Sequence, residues 1–244
     1  AALEQHVPER LARRLPLRGE RLLERARVEE AAPQERAPEA EALLERFGCR
    51  VVLLGRSAPH LVDPELLALT DEEFAAREAE FLSQAQAAGT RVGAARQRHQ
   101  TILAARETLK TCARLQSLPG LVEYHAVDVT SPERVEQIIK SVVQRLGPVD
   151  LVVHGAGVQH SKRLPRRKLA ELQQTIDTKL LGLRNLYTAL RRHCPVGRPV
   201  HFHLLTSAFS VLGNDGQHDY GAANEAMNRL AAAIKGLKRA GVLA

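Results

Sequence analysis

The sequence predicts an α/β fold built on a doubly wound, largely parallel sheet. Three observations carry this. Short apolar runs end in glycine or a turn (Val51–Leu54, Leu151–His154), amphipathic stretches of helical period lie between them, and the crossovers are long enough for each strand to return parallel to the last. In such a sheet ligands bind beyond the carboxyl ends of the strands, so the residues closing each run are the ones to read for function.

The 244 residues, 44% of them apolar, can bury one sizeable core. Residues 1–47 are poorly legible, rich in Arg, Glu, Ala and Leu, and broken by Pro8, Pro16, Pro33 and Pro38. Residues 48–244 read as the main domain. Val51–Leu54, closed by Gly55, is the first legible strand, buried on both faces. Residues 58–120 exceed an ordinary crossover and predict a helical insertion, with one helix over 101–116. A second strand spans 122–127. Ser131-Pro132 reads as an N-cap with proline at N1, opening a helix that places Val135, Ile138, Ile139, Val142, Val143 and Leu146 on one face until Gly147-Pro148 ends it. Further expectations are a strand at 151–154, a helix at 169–192, a strand at 200–205 and a last helix at 220–239.

Composition narrows the function classes. The net charge is +7, yet the basic residues alternate with Glu along the first 50 positions instead of forming one stripe. With 3% aromatics and no Trp there is little to stack on bases, which argues against nucleic-acid binding. No apolar run of about 18 residues is long enough to span a bilayer, and no signal peptide opens the chain, so a cytoplasmic protein is expected. The absent initiator Met suits a piece of a longer polypeptide. Cys49, Cys112 and Cys194 form no C-x-x-C pair and are read as reduced packing residues. His201 and His203 share a strand face without a carboxylate or third ligand, so no metal site is expected.

The strand ends carry the chemistry. Arg56 and Ser57 follow the first legible strand, and an arginine there can pair bidentately with the 2′-phosphate of NADP. Asp128 and Val129 end the next, where an adenine or ribose edge would lie. Gly155-Ala156-Gly157 ends the third, its small residues letting a ribose or nicotinamide ring approach the backbone. Ser207 ends the fourth. Each has a bland reading as loop charge, turn former or cap, and only their co-location on successive strands favours a site.

Ser207 and, thirteen residues on, Tyr220-Gly-Ala-Ala-Asn224 resemble the catalytic Ser and Tyr of short-chain dehydrogenases in their synthase ketoreductase form. Common short-chain dehydrogenases carry Lys four residues after Tyr; synthase ketoreductases carry Asn there and place the Lys on an earlier helix as K-x-x-G-x-x-N-L. This sequence has Lys179-Leu-Leu-Gly182-Leu-Arg-Asn185-Leu186 together with Asn224. The resemblance covers about residues 50–240 and implies a Rossmann-like fold of the short-chain dehydrogenase type. His154-Gly-Ala-Gly-Val158, Gly213–Gln217 and the helical insertion look closest to the polyunsaturated-fatty-acid synthase branch.

The resemblance implies NADPH-dependent reduction of a β-ketoacyl thioester on an acyl carrier protein, within a polyketide or fatty-acid synthase. Tyr220 would donate the proton, Lys179 would favour the phenolate, Ser207 would hydrogen-bond the carbonyl oxygen, and Asn224 would hold Lys179 or a relaying water. The implied partners are the phosphopantetheine-bearing carrier and neighbouring synthase domains. Stereochemical markers are missing: Gln159-His160-Ser161 stands where one class has Leu-Asp-Asp, and Leu212 where the other has Trp. The family's opening strand and Gly-rich turn, which holds the pyrophosphate on backbone amides, would fall within residues 20–47. That stretch contains no glycine and includes Glu29 and Glu30. The chain ends where the family continues into another strand and a lid. A catalytically silent ketoreductase-like domain that scaffolds neighbours or docks the carrier is therefore carried as the alternative, with an unrelated Rossmann-like binding module behind it.

Overall fold

The computed structural model describes residues 26–30, 38–159 and 161–239. Five strands, β1 (Ala26–Glu30), β2 (Arg50–Gly55), β3 (Leu121–Ala126), β4 (Val149–His154) and β5 (His201–Leu204), form one sheet in the order β3-β2-β1-β4-β5. All four pairings are parallel. The order reverses at β1, which puts the switch point, and with it the ligand crevice, between the carboxyl ends of β1 and β4.

The segment that patterning leaves illegible supplies the central strand. Ala26-Arg-Val-Glu-Glu30 has no apolar run, and its membership rests on backbone pairing from both sides, with Val28 opposite Val52 of β2 and Val152 of β4. Helix α1 (Pro38–Phe47) then leads into β2. The stretch 31–37, where a Gly-rich turn is looked for, lies outside the described residues. Its sequence contains no glycine, and the first turn of α1 carries Glu39 and Glu41.

The apolar run of β2 is continuous because both sheet faces are covered. Val51 and Leu53 join Leu44 and Leu115 in one core, whereas Val52 and Leu54 join Val135, Ile139 and Leu186 in the other. The second core takes the predicted face of α6 (Pro132–Leu146): Val135, Ile139 and Val142 are buried, and Ile138, Val143 and Leu146 pack at its margin. Pro132 does occupy the first turn, but the Ser131 side chain makes no capping bond. The turn is held instead by Asp128, whose Oδ1 accepts from the Thr130 amide at 2.9 Å and whose carbonyl accepts from the Ser131 amide at 3.0 Å.

The insertion comprises a short 3-10 turn (Pro59–Leu61) and helices α2 (Pro64–Ala68), α3 (Asp71–Ala76), α4 (Glu78–Ala87) and α5 (Val92–Gln116), the last starting nine residues before the sequence-predicted helix. One buried guanidinium organises it. Arg106 of α5 donates to the carbonyls of Leu66 (2.6 Å), Leu67 (3.2 Å) and Leu69, approaches Asp71 at 3.2 Å, and sits 4.6 Å over the Phe74 ring. A charge this deep persists only because these acceptors satisfy it. Beyond β4 come α7 (Leu169–His193), α8 (Phe209–Leu212) and α9 (His218–Arg239), with α7 and α9 packed together. Among the described residues no helix is long and apolar enough to cross a membrane. Among the described residues Cys49, Cys112 and Cys194 form no disulfide; Cys49 is buried in one core with half-buried Cys112 packed against it, and half-buried Cys194 packs at the margin of the other.

Candidate active site

The side of the crevice formed by β4, β5, α7 and α9 brings Lys179, Tyr220 and Gly157 together. Lys179 lies on α7 and is 2% exposed. Its Nζ donates to the Leu205 carbonyl at 3.0 Å and stands 5.9 Å from the centre of the Tyr220 ring. Gly157 closes the triangle: a Cβ there would lie 3.2 Å from Lys179 Cε and 3.8 Å from Tyr220 Cε2. Only a residue without a side chain leaves that wall open to a flat ring.

The rest of the K-x-x-G-x-x-N-L pattern positions the helix that carries Lys179. A Cβ at Gly182 would sit 2.9 Å from Val129 Cγ2, so glycine lets α7 approach the loop after β3. The Asn185 side-chain amide then donates to the Val129 carbonyl at 2.8 Å. Buried His154, at the end of β4, places Nε2 2.9 Å from the Lys179 carbonyl; that oxygen can only accept, so the proton sits on Nε2. Sequence patterning showed Gly182 and Asn185 as a motif but not these contacts.

Asn224 is fully buried one turn after Tyr220. Its Nδ2 donates to the Tyr220 carbonyl at 2.8 Å, while its Oδ1 is buried with no hydrogen-bond partner among the described residues. An orphaned acceptor of this kind costs about 1–3 kcal/mol and calls for a donor. Ser207 lies two residues beyond Leu205, half-buried, with its Oγ accepting from the Phe209 amide at 3.2 Å.

Contacts that no sequence pattern signals hold the start of α9. Arg167, between β4 and α7, pairs with Asp219 at 2.7 Å and donates to the Gly216 carbonyl at 2.8 Å. Both side chains are almost fully buried. The same two loops are joined by Lys162 N to the Gly216 carbonyl (2.9 Å) and by Gln217 Nε2 to Ser161 Oγ (2.9 Å). His160, part of the expected stereochemical marker position, lies outside the described residues.

On the other side of β1, Arg56 is exposed and Ser57 half-buried at the end of β2, and Asp128 is exposed after β3. The Val129 side chain belongs to the core and its carbonyl is taken by Asn185, which leaves its backbone amide as the group beside Asp128 that could meet an adenine or ribose edge. Ala156 is likewise buried in the core, between Gly155 and Gly157 at the crevice wall. The described residues therefore fit a dinucleotide at two ends, with a glycine wall and an orphaned acceptor near Tyr220 and an exposed cationic fork at Arg56. At the α1 start the Glu39 carboxylate does not favour a pyrophosphate, whereas that of Glu41 is taken by the Arg114 guanidinium of α5.

The chain is 30% identical over 190 residues to a polyunsaturated fatty acid synthase of Thraustochytrium sp., covering 75% of this chain and 7% of that protein. It is 27% identical over 108 residues to the 3-oxoacyl-[acyl-carrier-protein] reductase FabG of Thermotoga maritima, 44% of each chain. It thus spans less than half the length of either relative. Among solved structures, a ketoreductase domain from the bacillaene assembly line superposes with TM-score 0.63 at 20% identity, covering 89% of this chain and 41% of that one. An alcohol dehydrogenase from Thermococcus sibiricus, complexed with 5-hydroxy-NADP, gives 0.59 at 21%, covering 86% and 70%. These two likenesses establish the fold, a Rossmann-like doubly wound parallel sheet. Residues 37–242 match the KR domain family, and the chain belongs to it.

Proposed function

We propose that this domain reduces a β-ketoacyl thioester, carried on the phosphopantetheine arm of an acyl carrier protein, to the β-hydroxyacyl thioester within a polyketide or polyunsaturated-fatty-acid synthase. The observation that carries the reading is the convergence of Lys179, Tyr220 and Gly157 at the end of β4. NADPH, when bound, supplies the hydride that adds to the ketone carbon. The chain's own groups manage the oxygen. The Tyr220 hydroxyl gives its proton to the oxygen as negative charge develops there, and Ser207 Oγ–H donates to the same oxygen. The Lys179 ammonium, aimed by the Leu205 carbonyl, favours the phenolate left on Tyr220. Asn224 Oδ1 accepts from the donor that returns the proton. Gly155 and Gly157 form the nicotinamide wall; Arg56 and Ser57, with Asp128 and the Val129 amide, form the adenosine end.

Tyr220→Phe keeps the ring and removes the proton donor. Turnover of a β-ketoacyl thioester should fall by about a thousandfold or more while circular dichroism stays unchanged. Retained turnover would sink the assignment. One observation favours the second reading, a silent domain that scaffolds neighbours or docks the carrier: the sequence joining β1 to α1 lacks glycine and is followed by Glu39 and Glu41. In that case wild type and Tyr220→Phe would be equally inactive.

A further inference from the structure

Tyr124 lies on the edge strand β3, opposite Leu53 of β2, on the face covered by α5. Its hydroxyl reaches past the end of β2 and donates to the Ser57 carbonyl at 2.6 Å. The amide of Val127 donates to the Gly55 carbonyl at 2.7 Å. The residues on both sides of Arg56 are thus pinned to the same neighbouring strand, while Arg56 itself is exposed. The fit around the phenol is tight: a Cβ at Gly55 would lie 2.8 Å from Tyr124 Oη and 3.1 Å from Cε2. Cys112 of α5 packs against the same core cluster as the Tyr124 ring.

We propose that Tyr124 is a positioning residue for cofactor selectivity, clamping the Gly55-Arg56-Ser57 turn so that the Arg56 guanidinium is presented to a 2′-phosphate. The proposal rests on the reading that Arg56 meets that phosphate. A long arginine on an untethered turn spends conformational entropy to reach a bidentate geometry; one whose flanking carbonyls are both held spends less. The benefit falls on the phosphorylated ligand alone, because a ribose with a free 2′-hydroxyl gives the guanidinium no dianion to grip. Burial above all leaves the phenol pushed up to about 12, against the weaker opposing hydrogen bonds, so the donor persists across the working pH range.

The test uses adenosine 2′-monophosphate and adenosine, which probe this end of the crevice without a pyrophosphate. Dissociation constants for both would be measured by NMR titration of wild type, Tyr124→Phe, Arg56→Ala and the double variant. Tyr124→Phe should weaken the 2′-phosphate ligand about three- to tenfold, the scale of one hydrogen bond, and leave adenosine unchanged. The double variant should bind no more weakly than Arg56→Ala alone. Gly55→Ala, which pushes on the phenol without touching Arg56, should reproduce the loss and decides the matter if Tyr124→Phe does not fold. Should Arg56→Ala abolish the preference while Tyr124→Phe and Gly55→Ala keep it, the clamp is wrong and the Arg56 reading stands. If wild type binds both ligands equally, the Arg56 reading fails and takes the clamp with it.

Discussion

Arg167 Nη2 lies 2.7 Å from Asp219 Oδ1, in a pair whose side chains are only 4% and 2% exposed, directly before Tyr220 in the chain. Among the described residues Arg167 Nη1 and Asp219 Oδ2 have no hydrogen-bond partner, so each charge depends heavily on the other. Removing one partner of such a pair typically costs about 3–5 kcal/mol, whereas removing both is far milder. Arg167→Met and Asp219→Leu should each lower the urea midpoint sharply, and the double variant should recover much of the loss. If the pair also aims Tyr220, the double variant will fold yet keep a reduced kcat with KM little changed. Additive losses in stability would show that the two residues act separately.

Gly157→Ala tests the open wall beside Tyr220. The new methyl would crowd Lys179 Cε at 3.2 Å, a flexible atom that can yield, so the fold should survive. The ammonium and the nicotinamide space would both be displaced, and a misplacement of about 1 Å can cost on the order of a hundredfold in rate. We expect kcat/KM for a β-ketoacyl thioester to fall at least tenfold with a thermal midpoint within a few degrees of wild type, read by calorimetry beside the assay.

Tyr124 makes stability depend on alkaline pH. Its folded pKa, about 12, exceeds the unfolded value near 10, so the folded state holds the phenolic proton more tightly. This contribution is fully present below pH ~10 and is lost as pH rises towards ~12. Urea midpoints taken between pH 9 and about 11.5 should fall more steeply for wild type than for Tyr124→Phe. Parallel curves would mean that the phenol is not buried as described.

The glycine-free stretch between β1 and α1 predicts weak NADPH binding by this chain. A pyrophosphate denied amides at a helix N-terminus loses charge-assisted hydrogen bonds of about 1.5–3 kcal/mol each, and losing two weakens affinity by about a hundredfold or more. Replacing residues 31–37 with a Gly-rich turn and Glu39 with Ala should tighten NADPH by that factor in a fluorescence titration. Equal micromolar binding by both proteins would show that the native stretch holds the phosphates by other contacts.

Local pattern was enough to read the sheet from Val51 onward, because runs such as Val51–Leu54 and the spacing of Val135, Ile139 and Val142 record burial within one element. It was enough for the family too, since Lys179, Ser207, Tyr220 and Asn224 form an exchange of residue types that chance seldom supplies. The resemblance placed an opening strand somewhere within residues 20–47, but that Ala26–Glu30 forms it emerged in three dimensions alone: its charged text reads as no strand until backbone pairing on both sides puts it in the centre. The same holds for the contacts that aim the site. His154 meets Lys179 across 25 residues, Arg167 meets Asp219 across 52, and Tyr124 meets Ser57 across 67. Each is a hydrogen bond between loops or elements brought together by packing, and no periodicity in the chain records which distant carbonyl or carboxylate will stand opposite a buried donor.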